Sequence, residues 1–107
     1  MAAESPMAYP EADVDRVLTA LSDPACRTLL SELLEPLTAQ DLDDRCDLST
    51  STVYRKLDLL TESGLVEKRV TLTPNHTHTT EYRITFDELT LSLDDDGRLA
   101  CPIGLGK

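Results

Sequence analysis

At Gly64 the hydrophobic repeat of this chain changes from about 3.6 residues to 2, and no other feature restricts the possible folds as much. Upstream, apolar residues recur at helical spacing: Val14, Val17, Leu18 and Leu21, then Leu29, Leu30, Leu33 and Leu34, then Val53, Leu57 and Leu60. Downstream, Val66, Lys68, Val70 and Leu72 alternate with Glu67, Arg69 and Thr71, and Tyr82, Ile84 and Phe86 share one side of a second run from Thr80 to Phe86. A helical part followed by a hairpin within 107 residues leaves room for one small domain and no second core.

The punctuation between these runs fixes the element order. Asp13 suits the cap of a first helix; Ser22-Asp23-Pro24 breaks it and starts a second, with Asp23 as N-cap and Pro24 at the first helical position, where a missing N–H costs nothing. Pro36 ends that helix. Thr38, three residues before Asp41, predicts a capping box and a short third helix over 39–46, anchored inward by Leu42. After a tight turn at Cys46-Asp47-Leu48, Ser49 caps a fourth helix from Thr50 to Ser63, and Gly64 supplies its left-handed end. Two helices joined by a short turn, the second opening on small hydroxyl residues, form a helix-turn-helix pattern. The hairpin that follows, turning through residues 73–78, reads as a wing. Leu89, Leu91 and Leu93 alternate once more before Asp94-Asp95-Asp96-Gly97, which predicts a third strand and a tight turn near the C-terminus. The expected fold is therefore α+β, a winged helix-turn-helix of about four helices, a two-stranded wing and a C-terminal strand. Residues 1–12 are expected to be a flexible leader, 13–93 the domain, and 94–107 a turn and tail.

Charge argues first against nucleic acid and then for one surface. With 20 acidic and 10 basic side chains the net charge is −10, whereas phosphate binding draws on Lys and Arg. Residues 45–83, however, carry Arg45, Arg55, Lys56, Lys68, Arg69 and Arg83 against Asp47, Asp58, Glu62, Glu67 and Glu81, so the deficit lies elsewhere in the chain. Asp outnumbers Glu, Arg outnumbers Lys, and Thr occurs 13 times, a balance that suits molar salt, where self-repulsion is screened within about 3 Å. An acidic protein from an ordinary environment is the plainer alternative. Three cysteines, Cys26, Cys46 and Cys101, without a C-x-x-C pair fit a reducing cytoplasm and small apolar fillers. No apolar stretch is long enough for a membrane span.

On a wheel of about 100° per residue, Val53, Leu57 and Leu60 face inward, while Ser51 and Arg55 lie opposite, flanked by Thr50, Thr52 and Tyr54. These five occupy the start of the helix, the part that reaches base edges in a major groove. Hydroxyls donate or accept, Thr methyls meet thymine methyls, and Arg pairs bidentately with guanine, which makes Arg55 the main candidate base reader. Thr50 also serves as a helix-start residue beside the Ser49 cap, and Tyr54 alternatively covers the hairpin. Arg69 and Arg83 share the outward parity of the wing and are the candidate phosphate contacts, with Lys56 and Arg45 behind them. Asn75, His76 and His78 stand near the wing tip, where a minor groove or phosphate is within reach. A His-x-His pair without a third ligand does not make a metal site.

The stretches ALSDP at 20–24, STSTVYRKL at 49–57 and LLTESGLVE at 59–67 resemble the winged helix-turn-helix of ArsR-type and related prokaryotic transcription regulators, over roughly residues 13–86. The resemblance implies a DNA-binding regulator of the small archaeal kind. It departs from the ArsR pattern twice. Those sensors often carry two cysteines on the helix before the recognition helix, and here only Cys46 stands there, so neither a metal nor another cofactor is expected; a thiol redox role stays open. Many members also dimerise through a long C-terminal helix, whereas this tail reads as strand and turn, so a homodimer would have to use the first helix or the Leu89–Leu93 strand. The leading expectation is a cytoplasmic, non-enzymatic regulator that binds double-stranded DNA, with no membrane or small-molecule partner. The alternative is a winged-helix protein-interaction module of a larger complex, with Leu89, Leu91 and Leu93 as an edge that could join a partner's sheet. An enzyme would need a phosphate loop, a nucleophile–base pair or a metal cluster, and the sequence carries none of these patterns.

Overall fold

The computed structural model describes residues 13–101, 103 and 104; the expected leader at 1–12 lies outside them. Four helices form as their caps dictate. In α1 (Val14–Ser22) the Asp13 carboxylate accepts the Arg16 N–H, and in α2 (Pro24–Glu32) Asp23 accepts the Ala25 N–H with Pro24 at the start. A short strand, β1 (Leu37–Thr38), leads into α3 (Ala39–Arg45), whose capping box is complete: Thr38 Oγ1 accepts the Asp41 N–H and Asp41 accepts the Thr38 N–H. Ser49 caps α4 (Thr50–Ser63), and Gly64 ends it at φ 88°, a conformation that suits a residue without Cβ.

The core is aliphatic. Val17, Leu29, Leu33, Leu42, Val53, Leu57, Leu60, Leu65 and Val66 are buried, and Tyr82 is the one aromatic among the buried core residues described. Two expected core positions are not in it. Leu18 is 38% exposed and Leu34 is 88% exposed, while Ala20 and Cys26 are fully buried. Leu34 fails because α2 stops at Glu32, short of Pro36; a residue preceding proline avoids helical angles, so the chain leaves the helix early and the leucine repeat loses its face.

The wing pairs β2 (Val66–Leu72) with β3 (His78–Ile84) in antiparallel register, Val66 opposite Ile84 and Leu72 opposite His78. The third strand of this sheet is β1, which joins the other edge of β3 with Leu37 opposite Tyr82. The strand expected over Leu89–Leu93 forms as two short pieces, interrupted at Thr90–Leu91 and outside the wing sheet: β4 (Glu88–Leu89) pairs with β7 (Ile103–Gly104) and β5 (Ser92–Leu93) with β6 (Leu99–Ala100), in a C-terminal hairpin of their own. Its turn is organised by Asp94, whose carboxylate accepts the N–H groups of Asp96 and Arg98, and by Gly97 at φ 79°. Four helices and a three-stranded antiparallel sheet make this a winged helix-turn-helix, an α+β fold.

Asp23 also ties two helices together. Its other oxygen lies 2.5 Å from Lys56 Nζ on α4, with both side chains largely covered. The Lys56 hydrogen bond holds the Asp23 carboxyl below its usual range, against the opposing effect of burial. A depressed carboxylate stabilises the fold above its unfolded pKa of about 4, and that contribution is lost as pH falls through the lower folded value. Unfolding titrations at stepped pH should therefore show the wild type losing more stability below about pH 4 than Lys56→Met, in which the lowering partner is gone.

Candidate nucleic-acid interface

The first two turns of α4 project from the body because Val53, Leu57 and Leu60 pin the opposite side of the helix into the core. Thr50, Ser51 and Arg55 are exposed, and Thr52 is half-buried. The hydroxyls are held in place: Thr50 Oγ1 donates to Asp43 Oδ2 of α3 at 3.0 Å, Ser49 Oγ donates to Thr52 Oγ1 at 2.8 Å, and Ser51 Oγ lies 3.3 Å from Ser49 Oγ. Arg55 forms neither a salt bridge nor a side-chain hydrogen bond among the described residues, so its guanidinium is available at the surface.

Most other cations are committed. Lys56, expected beside Arg55 in the interface, instead reaches back to Asp23; it lies one residue, about 100°, around the helix and so faces α2. Arg45 is bound to Glu35 at 3.2 Å and lies 3.7 Å from Glu32, with the Glu35 hydrogen bond raising its pKa. On the wing, Arg83 Nε donates to Glu67 Oε2 at 2.6 Å and Arg69 Nη2 lies 3.9 Å from the same oxygen. The register accounts for this, since Glu67 is opposite Arg83 and Arg69 is opposite Glu81, which makes the outward face a balanced set of two acids and two bases. Lys68, on the other face, is exposed and makes no ion pair among the described residues. It was not among the expected contacts. Its signal was its parity with Val66 and Tyr82, which puts it on the side of the wing that packs toward α4.

Tyr54 is 50% exposed and faces the wing, lining a shallow recess of about 360 Å³ with Tyr82, His78, Thr80 and the start of α3. Burial pushes the Tyr82 hydroxyl pKa up, and the nearby Asp58 and Tyr54 push in the same direction. Asn75 and His76 form the exposed wing tip, where the His76 N–H donates to Thr73 O and His76 takes φ 64°. His78 opens β3 opposite Leu72 and borders the recess rather than the tip. The thiols are buried, and burial raises the pKa of Cys26, Cys46 and Cys101 alike; at Cys46 the neighbouring Glu32 adds to the rise and Arg45 opposes it. A raised pKa disfavours the thiolate, the form that reacts. Among the described residues no three His, Cys, Asp or Glu side chains gather as metal ligands, and no helix is long and apolar enough to cross a membrane.

Comparison with known proteins places the same segment in view. The family model described as a helix-turn-helix domain matches residues 21–69, which run from the end of α1 into β2. A solved structure described as a possible transcriptional regulator from Methanosarcina mazei Go1 superposes with a TM-score of 0.51 at 21% identity, over 66% of this chain and 63% of that one. The shared part is thus less than two thirds of that protein's length, and the likeness is one of fold. A search of curated proteins gave no match.

Proposed function

We propose that this chain is a sequence-specific, DNA-binding transcription regulator, without enzymatic activity, that reads a major groove with the start of α4 and is steadied by the wing. The observation that carries this reading is the free guanidinium of Arg55, set among fixed hydroxyls at the exposed start of a helix whose two neighbouring bases, Arg45 and Lys56, are both tied up. The helix-turn-helix match at 21–69 supports it. The reading takes ArsR-type regulators as its pattern, the cytoplasm as its setting, and a two-fold dimer on half-sites about 10 bp apart as its expected form.

The same charge distribution supports an adaptation to high salt. Each neutralised phosphate adds about 0.9 to the slope of log affinity against log salt, so a protein with many such contacts fails in concentrated salt. Here Arg55 and Lys68 are the uncommitted cations of α4 and the wing, and binding that rests on base edges and apolar contacts persists where counterion release contributes little. Fluorescence anisotropy with a genomic fragment pool, titrated with KCl, tests this directly. The expected result is selection of a subset of fragments with a shallow salt slope; absence of binding at every salt concentration overturns the reading.

A gain-of-function variant addresses the wing. Glu67→Gln releases Arg83 and Arg69 from their shared carboxylate. At low salt it is expected to tighten binding to selected and unselected fragments alike, by about tenfold, and to steepen the salt slope by about one unit. An unchanged slope would show that the outward face of the wing does not meet phosphate.

A further inference from the structure

The C-terminal hairpin has one apolar and one polar face. Leu89, Leu91 and Leu93 alternate with Glu88, Thr90, Ser92 and Asp94, and Leu99 stands opposite Leu93. The two short ladders share one register, with Leu89 opposite Ile103 and Leu93 opposite Leu99. They are therefore two ends of a single hairpin, and side chains of like parity line one face. That face starts inside the protein, where Cys101 is fully buried and Leu89 packs on the core. It then runs out of it: Leu91 is 48%, Leu93 66% and Leu99 49% exposed. An alternating strand normally covers its apolar side, and this one is covered only at its root.

We infer that the outer part of this hairpin is a self-association surface, and that its occupant is the same face of a second copy of this chain. Charge selects the occupant. The chain carries −10, so most pairings of two copies set acid against acid. Leu91, Leu93 and Leu99 carry no charge, and the charged residues of the hairpin, Glu88, Asp94, Asp95, Asp96 and Arg98, lie on the opposite face or in the turn. Here two anionic bodies can meet without placing like charges in contact. A face that is its own complement also satisfies a two-fold axis, on which each patch meets its copy. A basic protein partner would instead seek the acidic surfaces that this face lacks.

Size sets the strength. Three part-exposed leucines make a patch far smaller than the about 800 Å² per partner of a standard stable interface. The dimer is accordingly weak in dilute salt and tightens as salt rises, because screening shortens the repulsion between the bodies while apolar burial is kept. The inference rests on the two-fold form proposed above and assigns its contact. DNA binding has the opposite salt dependence and the mass is measured without DNA, so a chain that dimerises without binding DNA sinks only the regulator, and one that binds DNA as a monomer sinks only the dimer and its contact.

Sedimentation equilibrium of the full chain from about 0.1 to about 1 M KCl tests the inference. Wild type is expected to shift from monomer toward dimer across that range, with Leu93→Asp and Leu93→Lys each weakening association about tenfold or more. Mixing the two variants is expected to restore the dimer, since opposite charges then face each other, and that restoration shows that both variants are folded. A wild type that stays monomeric at all salt concentrations overturns the inference. So does a dimer unaffected by both variants, which would place the contact elsewhere, and so does a mixture no more associated than its parts.

Discussion

Replacing Arg55 with alanine is expected to weaken binding to a selected fragment by about 10- to 100-fold, in keeping with about 1–3 kcal/mol for a bidentate arginine–guanine pair. The loss should be concentrated on preferred fragments. Deleting a cation that only held phosphate would weaken all fragments alike and flatten the salt slope by about one unit. Arg55→Lys separates these roles further, because lysine keeps the charge but not the planar fork that fits two acceptors at once. If Arg55 reads a base, the lysine variant recovers unselected binding and little of the preference. If it holds phosphate, lysine restores nearly everything. Equal binding by all three proteins would remove Arg55 from the interface and leave the hydroxyl residues without their strongest partner. The side chain is exposed and unpaired among the described residues, so neither substitution should move the melting temperature, and a change in affinity reports on the duplex.

Sequence and structure agree where the determinants are local. Asp13, the Asp23–Pro24 pair, the Thr38–Asp41 box and the Ser49 to Gly64 span each act on groups a few residues away, and each does in the structure what its spacing predicts. Disagreement begins where the partner is distant. A two-residue strand such as β1 has no period to detect, and Thr38 already serves as a cap; its strand role exists only because Tyr82 lies alongside Leu37. The alternation of Leu89 to Leu93 was legible, but Leu99–Ala100 and Ile103–Gly104 are too short to announce themselves as its partners. Leu34 shows the reverse error, a helical repeat read past the point where the helix stops.

The candidate site divides in the same way. Arg55 was readable from the helix wheel, since the inward residues are on its own helix. The wing bases were not, because their availability depends on what stands opposite. Outward parity alone favours Arg69 and Arg83, yet the register sets Arg83 against Glu67 and Arg69 against Glu81. Lys56 likewise looks like a neighbour of Arg55 until α2 packs and brings up Asp23. On so acidic a chain an exposed base tends to find a carboxylate, and the informative cation is the one that does not.

Truncating Leu57 to alanine is expected to be the most damaging of these substitutions to the fold, at about 2–5 kcal/mol. Leu57 is fully buried midway along α4, the helix that packs on α1, α2, α3 and β2, so a cavity there opens in the helix that most of the core is built around. Against the about 5–15 kcal/mol that holds a domain together, this is a large share, and the melting temperature should fall by about 10 °C or more. Leu34→Ala, the same chemical change at a residue 88% exposed, should stay within about 0.5 kcal/mol. Thermal melts of the two variants measure the difference, and equal effects would contradict the placement of α4 in the core. The pair also calibrates the DNA experiments. Leu57→Ala lowers binding only as far as it depopulates the folded helix, a loss that cooling or stabilising salts should rescue, whereas Arg55→Ala leaves the helix intact and no such rescue applies to it. A loss of affinity that tracks the folded fraction therefore belongs to the inward face of α4, and one that persists in fully folded protein belongs to the outward face.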